Sequence, residues 1–361
     1  MNRSDHAARP VTLAVATLLS VVLSVLPGCI RRPTPPSDER AASQPEPIRV
    51  VTARPDRATA AERAAAAVIR GDQALERGDL SLALIEFERA IATNPELSTA
   101  YLKSGGIYEQ RGELEQAASR YARAAELDPL SYEAHTRHGR ILQQLERHED
   151  AVRAFLRALA VRPDDAIINR ELASAYLAID RPDQAESYAL RAVRLNPNSG
   201  EARINLAACY VELGRYDDAV VEYQQAAELV PVPGEQLLLN LADTLGRVQR
   251  YAEMAATLDQ LVRTNPSAIA HERLGSALFR LKRYDDSLEA FLTATELDPA
   301  HYPAFNGVAV SMLNRYLWSS KEDKDALVAA VDALRTSLRL EPEQPRILEL
   351  LRRYGPQAVS G

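Results

Sequence analysis

Aromatic residues make up only 6% of the 361-residue chain, tryptophan occurs once and cysteine twice. Two cysteines, Cys29 and Cys209, cannot build a disulfide framework beyond one mutual bridge. Glycine-rich phosphate loops, G-x-S-x-G elbows and H-E-x-x-H zinc motifs are all missing. The usual signatures of phosphate chemistry, serine hydrolysis and zinc hydrolysis are thereby removed, and no cofactor or catalytic residue is expected. Positive charge is not in excess either: the net charge is -7, which disfavours nucleic acid as a partner. Long apolar runs are scarce. The one at residues 11–26 counts sixteen positions, with Thr and Ser among them, short of the roughly 20 residues that span a bilayer.

What is abundant is Ala, Leu and Val, within a hydrophobic fraction of 46%. Small and straight apolar side chains suit close-packed helices, so an all-helical protein is the first expectation.

The short apolar run follows Arg3 and Arg9 and ends in small residues, the layout of a secretory signal. It closes on Leu26-Pro27-Gly28-Cys29, which resembles the bacterial lipobox, with Pro27 standing where a small or hydroxylated residue is usual. The resemblance implies that residues 1–28 are removed and that Cys29 becomes a lipid-modified N-terminus. Acyl chains contribute about 0.8 kcal/mol per buried CH₂, so two or three hold a protein stably on a membrane. An ordinary cleaved signal, or an uncleaved anchor with an incidental Cys29, are the alternatives. In residues 29–56, Pro33, Pro35, Pro36, Pro45, Pro47 and Pro55 fix φ and remove donors, which excludes helix and favours an extended tether.

Beyond the tether the chain repeats itself. Pro95, Pro129, Pro163, Pro197, Pro231, Pro266, Pro299 and Pro342 are spaced 34, 34, 34, 34, 35, 33 and 43 apart. A period near 34 points to stacked helix-turn-helix units. In this register small residues stand at Gly71, Gly105, Gly139, Ala173, Ala207, Ala242, Gly275 and Ala309, and again at Ala83, Ala117, Ala151, Ala185 and Ala219. Four residues after the second column come Phe87, Tyr121, Phe155, Ala189, Tyr223, Leu258 and Phe291, and three further on mostly alanine. Those offsets form one helical stripe, where small residues admit a second helix closely and the aromatic fills the gap.

These columns resemble the tetratricopeptide repeat, whose signature Tyr101, Gly105, Tyr108, Ala117, Tyr121, Ala124 and Pro129 meet best. The resemblance implies an α-solenoid, a right-handed superhelix of about eight hairpins over residues 64–97, 98–131, 132–165, 166–199, 200–234, 235–267, 268–301 and 302–342. A capping helix is expected over 343–355 and a disordered tail over 356–361. Thr59 and Glu62 read as a capping box that opens the first helix. About nine extra residues near 317–325 are expected to lengthen the turn of the eighth hairpin.

His135 and His138 lie three apart, with His148 across a turn, a conceivable metal set. They occupy the columns of Tyr101, Ser104 and Leu114 one repeat earlier, and no Cys joins them, so packing is the reading preferred over a metal. Cys209, between Ala208 and Tyr210, reads as a buried inert thiol.

The resemblance further implies that the first helix of each unit lines a concave groove. Its groove positions map to Leu102, Thr136, Arg140, Gln143, Arg170, Ser174, Leu177, Ile204, Ala208, Val211, Leu239 and Asp243. The candidate peptide groove is Leu102, Arg140, Arg170, Leu177, Ile204, Ala208, Val211 and Leu239: apolar in the middle, with two arginines suited to an acidic flank. The family's carboxylate clamp is not met, because Asn205 and Asn240 lack its lysines. The expectation is a non-enzymatic, lipid-anchored scaffold of a bacterial envelope, facing the periplasm and binding a protein or peptide. Its layout is similar to that of tetratricopeptide lipoproteins that assist pilus secretins or outer-membrane assembly. A self-associating repeat protein that docks through the Trp318 region is the alternative.

Overall fold

The computed structural model describes residues 55–359. The signal segment, Cys29 and the tether up to residue 54 lie outside the described residues, as do residues 360–361. Among the described residues the chain forms seventeen helices and no strand. They pair into hairpins: α1 (Pro55–Glu76) with α2 (Leu80–Thr93), α3 (Ser98–Gln110) with α4 (Leu114–Leu127), α5 (Tyr132–Gln144) with α6 (His148–Val161), and α7 (Ala166–Ala178) with α8 (Pro182–Leu195). The series continues with α9 (Gly200–Glu212) and α10 (Tyr216–Glu228), α11 (Glu235–Arg247) and α12 (Tyr251–Thr264), α13 (Ala268–Arg280) and α14 (Tyr284–Leu297), then α15 (Tyr302–Trp318) and α16 (Lys324–Leu340). Finally α17 (Pro345–Val359) packs on α16. Each second helix also touches the first helix of the next unit, which is the connectivity of an α-solenoid.

The turn inside each of the first seven hairpins is a Schellman motif. In the second unit the Gly112 N–H donates to the Glu109 carbonyl (3.0 Å) and the Glu113 N–H to the Tyr108 carbonyl (2.9 Å). The motif needs a left-handed residue. Gly78, Gly112 and Gly214 supply it without strain, whereas Glu146, Asp180, Gln249 and Lys282 adopt φ between 56° and 63° despite carrying a Cβ. Between most units, the residue before the proline stops the helix: Asn94, Asp128, Asn196 and Asn265 take extended φ of -139°, -128°, -138° and -145°. The next first helix is then opened by a side-chain cap in several units, Ser131, Asp165, Ser199 and Ser267 each accepting from the N–H three residues on.

The core follows the predicted columns. Phe87, Tyr121 and Phe155 have no exposed surface, and the alanines at 83, 90, 117, 151 and 158 are likewise 0% exposed. The aromatic of the second helix lies against the small residue of the first: a Cβ on Gly71 would sit 2.4 Å from Phe87 Cε1. In the fourth unit the aromatic column holds Ala189, and Tyr188 instead stacks on Tyr176 with ring centroids 5.5 Å apart.

Three expectations need correction. Thr59 does not open the first helix; α1 begins at Pro55, inside the stretch assigned to the tether, and the Thr59 carbonyl accepts from Arg63 Nε. Proline has φ preset for the first helical turn, so it starts a helix as readily as it ends one. The extra residues of the eighth unit do not mainly lengthen its turn: α15 and α16 each run 17 residues where other units have 13 and 14, and Leu317 and Trp318 are helical. Amphipathic residues gain more from an added helical turn against a neighbour than from hydrated loop. Last, α17 continues through Pro356 to Val359, beyond the expected end at residue 355. Pro356 removes one helical donor there, yet the helix carries on past it. Ile347 and Tyr354 of α17 are buried against α15 and α16 and cover the face they would otherwise expose.

Candidate protein-binding surface

The first helices follow one another along one side of the array, and charged side chains bridge neighbours. Asp72 of α1 pairs with Lys103 of α3, Glu109 of α3 with Arg137 of α5 (3.4 Å), Arg140 of α5 with Glu171 of α7 (3.5 Å), Arg170 of α7 with Glu201 of α9, and Asp243 of α11 with Arg273 of α13. Partly exposed pairs of this kind contribute little individually, about 0–1 kcal/mol, but they hold side chains in register along the face.

The predicted groove residues fall into four groups. Ala208 and Val211 come together on a cavity of about 290 Å³, lined also by Asn240, Asp243 and Arg247. Leu102, Leu177 and Ile204 are half-buried and pack onto the core clusters. Leu239 is only 7% exposed and belongs to the core between units, so it is not available to a peptide. The two arginines also differ from expectation: Arg140 and Arg170 both reach Glu171, and Arg170 also contacts Glu201. Their charge is met within the protein, which withdraws the argument for an acidic flank.

A larger cavity, about 490 Å³, was not anticipated. It opens between α13 and α15 and is lined by Glu272, Ser276, Phe279, Phe291, Asn306, Gly307 and Val310 among others. Glu272, Ser276 and Phe279 stand 68 residues, two repeats, after Ile204, Ala208 and Val211. Carrying the same columns into the last two units would have found them.

The histidines do not converge. His135 is buried with Nε2 3.0 Å from the Pro129 carbonyl. His138 lines a separate cavity beside Arg147, Asp150 and Arg157, and burial, reinforced by Arg147, pushes its pKa down to about 4. Among the described residues no three His, Cys, Asp or Glu side chains are placed to hold a metal ion. Cys209 is fully buried, and desolvation pushes its thiol up to about 12, far from a reactive thiolate.

The tetratricopeptide repeat family model matches residues 70–134, 136–199, 170–234 and 239–302, more than half of the chain. The chain belongs to the tetratricopeptide repeat family. The array is similar to the crystal structure of a tetratricopeptide repeat protein from Parabacteroides merdae, at 16% identity and a TM-score of 0.50, over 66% of this chain and 94% of that one. It is also similar to pilF of Pseudomonas aeruginosa (21% identity, TM-score 0.48, 59% and 96% covered). A third similar structure is MamA of Desulfovibrio magneticus (19%, 0.44, 46% and 95%). No curated protein matches the chain. As a tetratricopeptide array, the protein is a scaffold for protein–protein interaction. No helix among the described residues is long and apolar enough to cross a membrane.

Proposed function

We propose that this tetratricopeptide protein is a non-enzymatic adaptor of the bacterial envelope, anchored by lipid on Cys29 and binding a protein partner on the face formed by its first helices. The observation that carries the reading is that face: a row of first helices bridged by ion pairs and opened by two cavities, one at Ala208 and Val211, the other at Ser276 and Val310. The anchor rests on Leu26-Pro27-Gly28-Cys29 at the end of the apolar run.

Two experiments test it. Globomycin treatment should make unprocessed precursor accumulate; normal processing under the drug would leave an ordinary secreted protein. Crosslinking from membranes should recover a partner that is lost when Ser174, Ala208 and Val310 are together replaced by Arg. Identical partner lists from wild type and variant would remove the groove.

Self-association is the second reading, favoured by Trp318, 72% exposed at the end of α15 beside Leu317 and held edge-on to Tyr284. Light scattering on the eluting protein separates it from a monomeric adaptor.

A further inference from the structure

Among the described residues the ladder of ion pairs is interrupted twice, between α9 and α11 and between α13 and α15. In three of its rungs the cation occupies one column of the first helix: Lys103, Arg137 and Arg273, which meet Asp72, Glu109 and Asp243. The same column in α15 is Gly307, and the acidic columns that would meet it hold Ser276 and Phe279 in α13, so this rung is absent. In the cavity between these two helices, Glu272 of α13 accepts a hydrogen bond from the Ser276 hydroxyl (3.1 Å), and among the described residues no Lys or Arg pairs with it. Its neighbour Arg273 is committed to Asp243, and Arg280 at the rim points its guanidinium toward the Tyr251 ring, 6.0 Å from the centroid. The rest of the cavity is largely apolar, with Phe279, Phe291, Pro303 and Val310. Desolvation pushes the Glu272 carboxyl above its usual range, the mark of a carboxylate lacking a counter-charge.

We infer that the α13–α15 cavity takes an apolar peptide segment of a partner protein, and that a lysine or arginine of that segment pairs with Glu272. The inference rests on the protein-binding reading above and names the chemistry of the partner. Apolar flanks fill the cavity, and the cation supplies the counter-charge that Glu272 lacks. A charge pair enclosed in this way discriminates strongly, because a neutral or acidic residue there would leave Glu272 desolvated and unpaired.

The test is selection of a random peptide library on the full-length protein in detergent, followed by titration of the recovered peptides. Recovered sequences should be rich in Lys or Arg flanked by apolar residues. Their affinity should fall at least about tenfold for Glu272→Gln, which keeps the shape, and also for Val310→Lys, which adds a like charge at the exposed rim. Circular dichroism checks that both variants remain folded. Recovery of peptides without cation enrichment, equal affinity for Glu272→Gln, or recovery of none overturns the inference. So does displacement of the peptides by unlabelled full-length chain, which would make a second copy the occupant. Cation-free peptides that are lost on the Ser174→Arg, Ala208→Arg double substitution would sink this inference while leaving the protein-binding reading in place.

Discussion

Gly307 of α15 lies under the ring of Phe291 of α14 so closely that a Cβ on the glycine would stand 2.2 Å from Phe291 Cδ1. Gly275 meets the same ring from α13, at 2.8 Å. Phe291 is therefore held between two glycines from successive units. Gly307→Ala is expected to destabilise the array by about 1–3 kcal/mol, as overpacking does. Gly106→Ala is the control: its Cβ would meet only the Tyr121 hydroxyl at 3.7 Å, and the better helix former should add about 0.5–1 kcal/mol. Urea midpoints of the two variants should move in opposite directions.

Ala117 and Ala151 have no exposed surface. Leucine at either should overpack its hairpin and lose roughly 1–3 kcal/mol. Unchanged thermal unfolding would show that these alanines do not set the distance between helices.

Lys282 completes its Schellman motif at φ 63°, a conformation that glycine supplies at three equivalent turns. The left-handed region costs a residue with a Cβ roughly 1–2 kcal/mol. Lys282→Gly is expected to stabilise the protein by somewhat less than that, since glycine loses more entropy on folding. A melting temperature below wild type would refute this.

Protonation of His138 opposes folding. Its pKa falls from 6.5 to about 4 through burial and the nearby Arg147, with Asp150 acting the other way. Between those values the unfolded chain binds a proton that the folded chain does not, so stability should decline as pH drops across that window. His138→Gln should flatten this part of the pH profile. Glu272 acts with the opposite sign. Its carboxyl is raised by desolvation, so the folded state holds its proton to higher pH than the unfolded one, and stability is lost as pH rises through that range. Glu272→Gln should accordingly melt higher than wild type at neutral pH, and an unchanged melting temperature would show that Glu272 is adequately solvated.

Cys209 is enclosed in the core of the fifth unit, with its thiol pushed up to about 12. Native protein should resist a maleimide at this position, and unfolding in urea should expose it. Rapid native labelling of Cys209 would mean that the α9–α10 hairpin opens readily.

Most of the array is legible in one dimension, because each repeat packs only on its neighbours. Periodic prolines mark the helix stops at Asn94, Asp128 and Asn196, and the columns at Gly71, Ala83, Phe87 and Ala90 already specify which faces meet. The same local logic determined that Phe155 and Tyr223 would be buried. What repetition could not specify is which non-core side chains stay open. Leu239 and Ile204 share a column, yet only Leu239 is drawn into the core, and Arg140 and Arg170 are silenced by Glu171 and Glu201 from adjacent helices. Glu272 gains its standing only in three dimensions, because it lines a largely apolar cavity between α13 and α15 where, among the described residues, no Lys or Arg pairs with it. Helix stops and core columns are set by residues within a unit and thus by the sequence alone; exposure and charge on the binding face depend on pairs between units, which only the tertiary structure brings together.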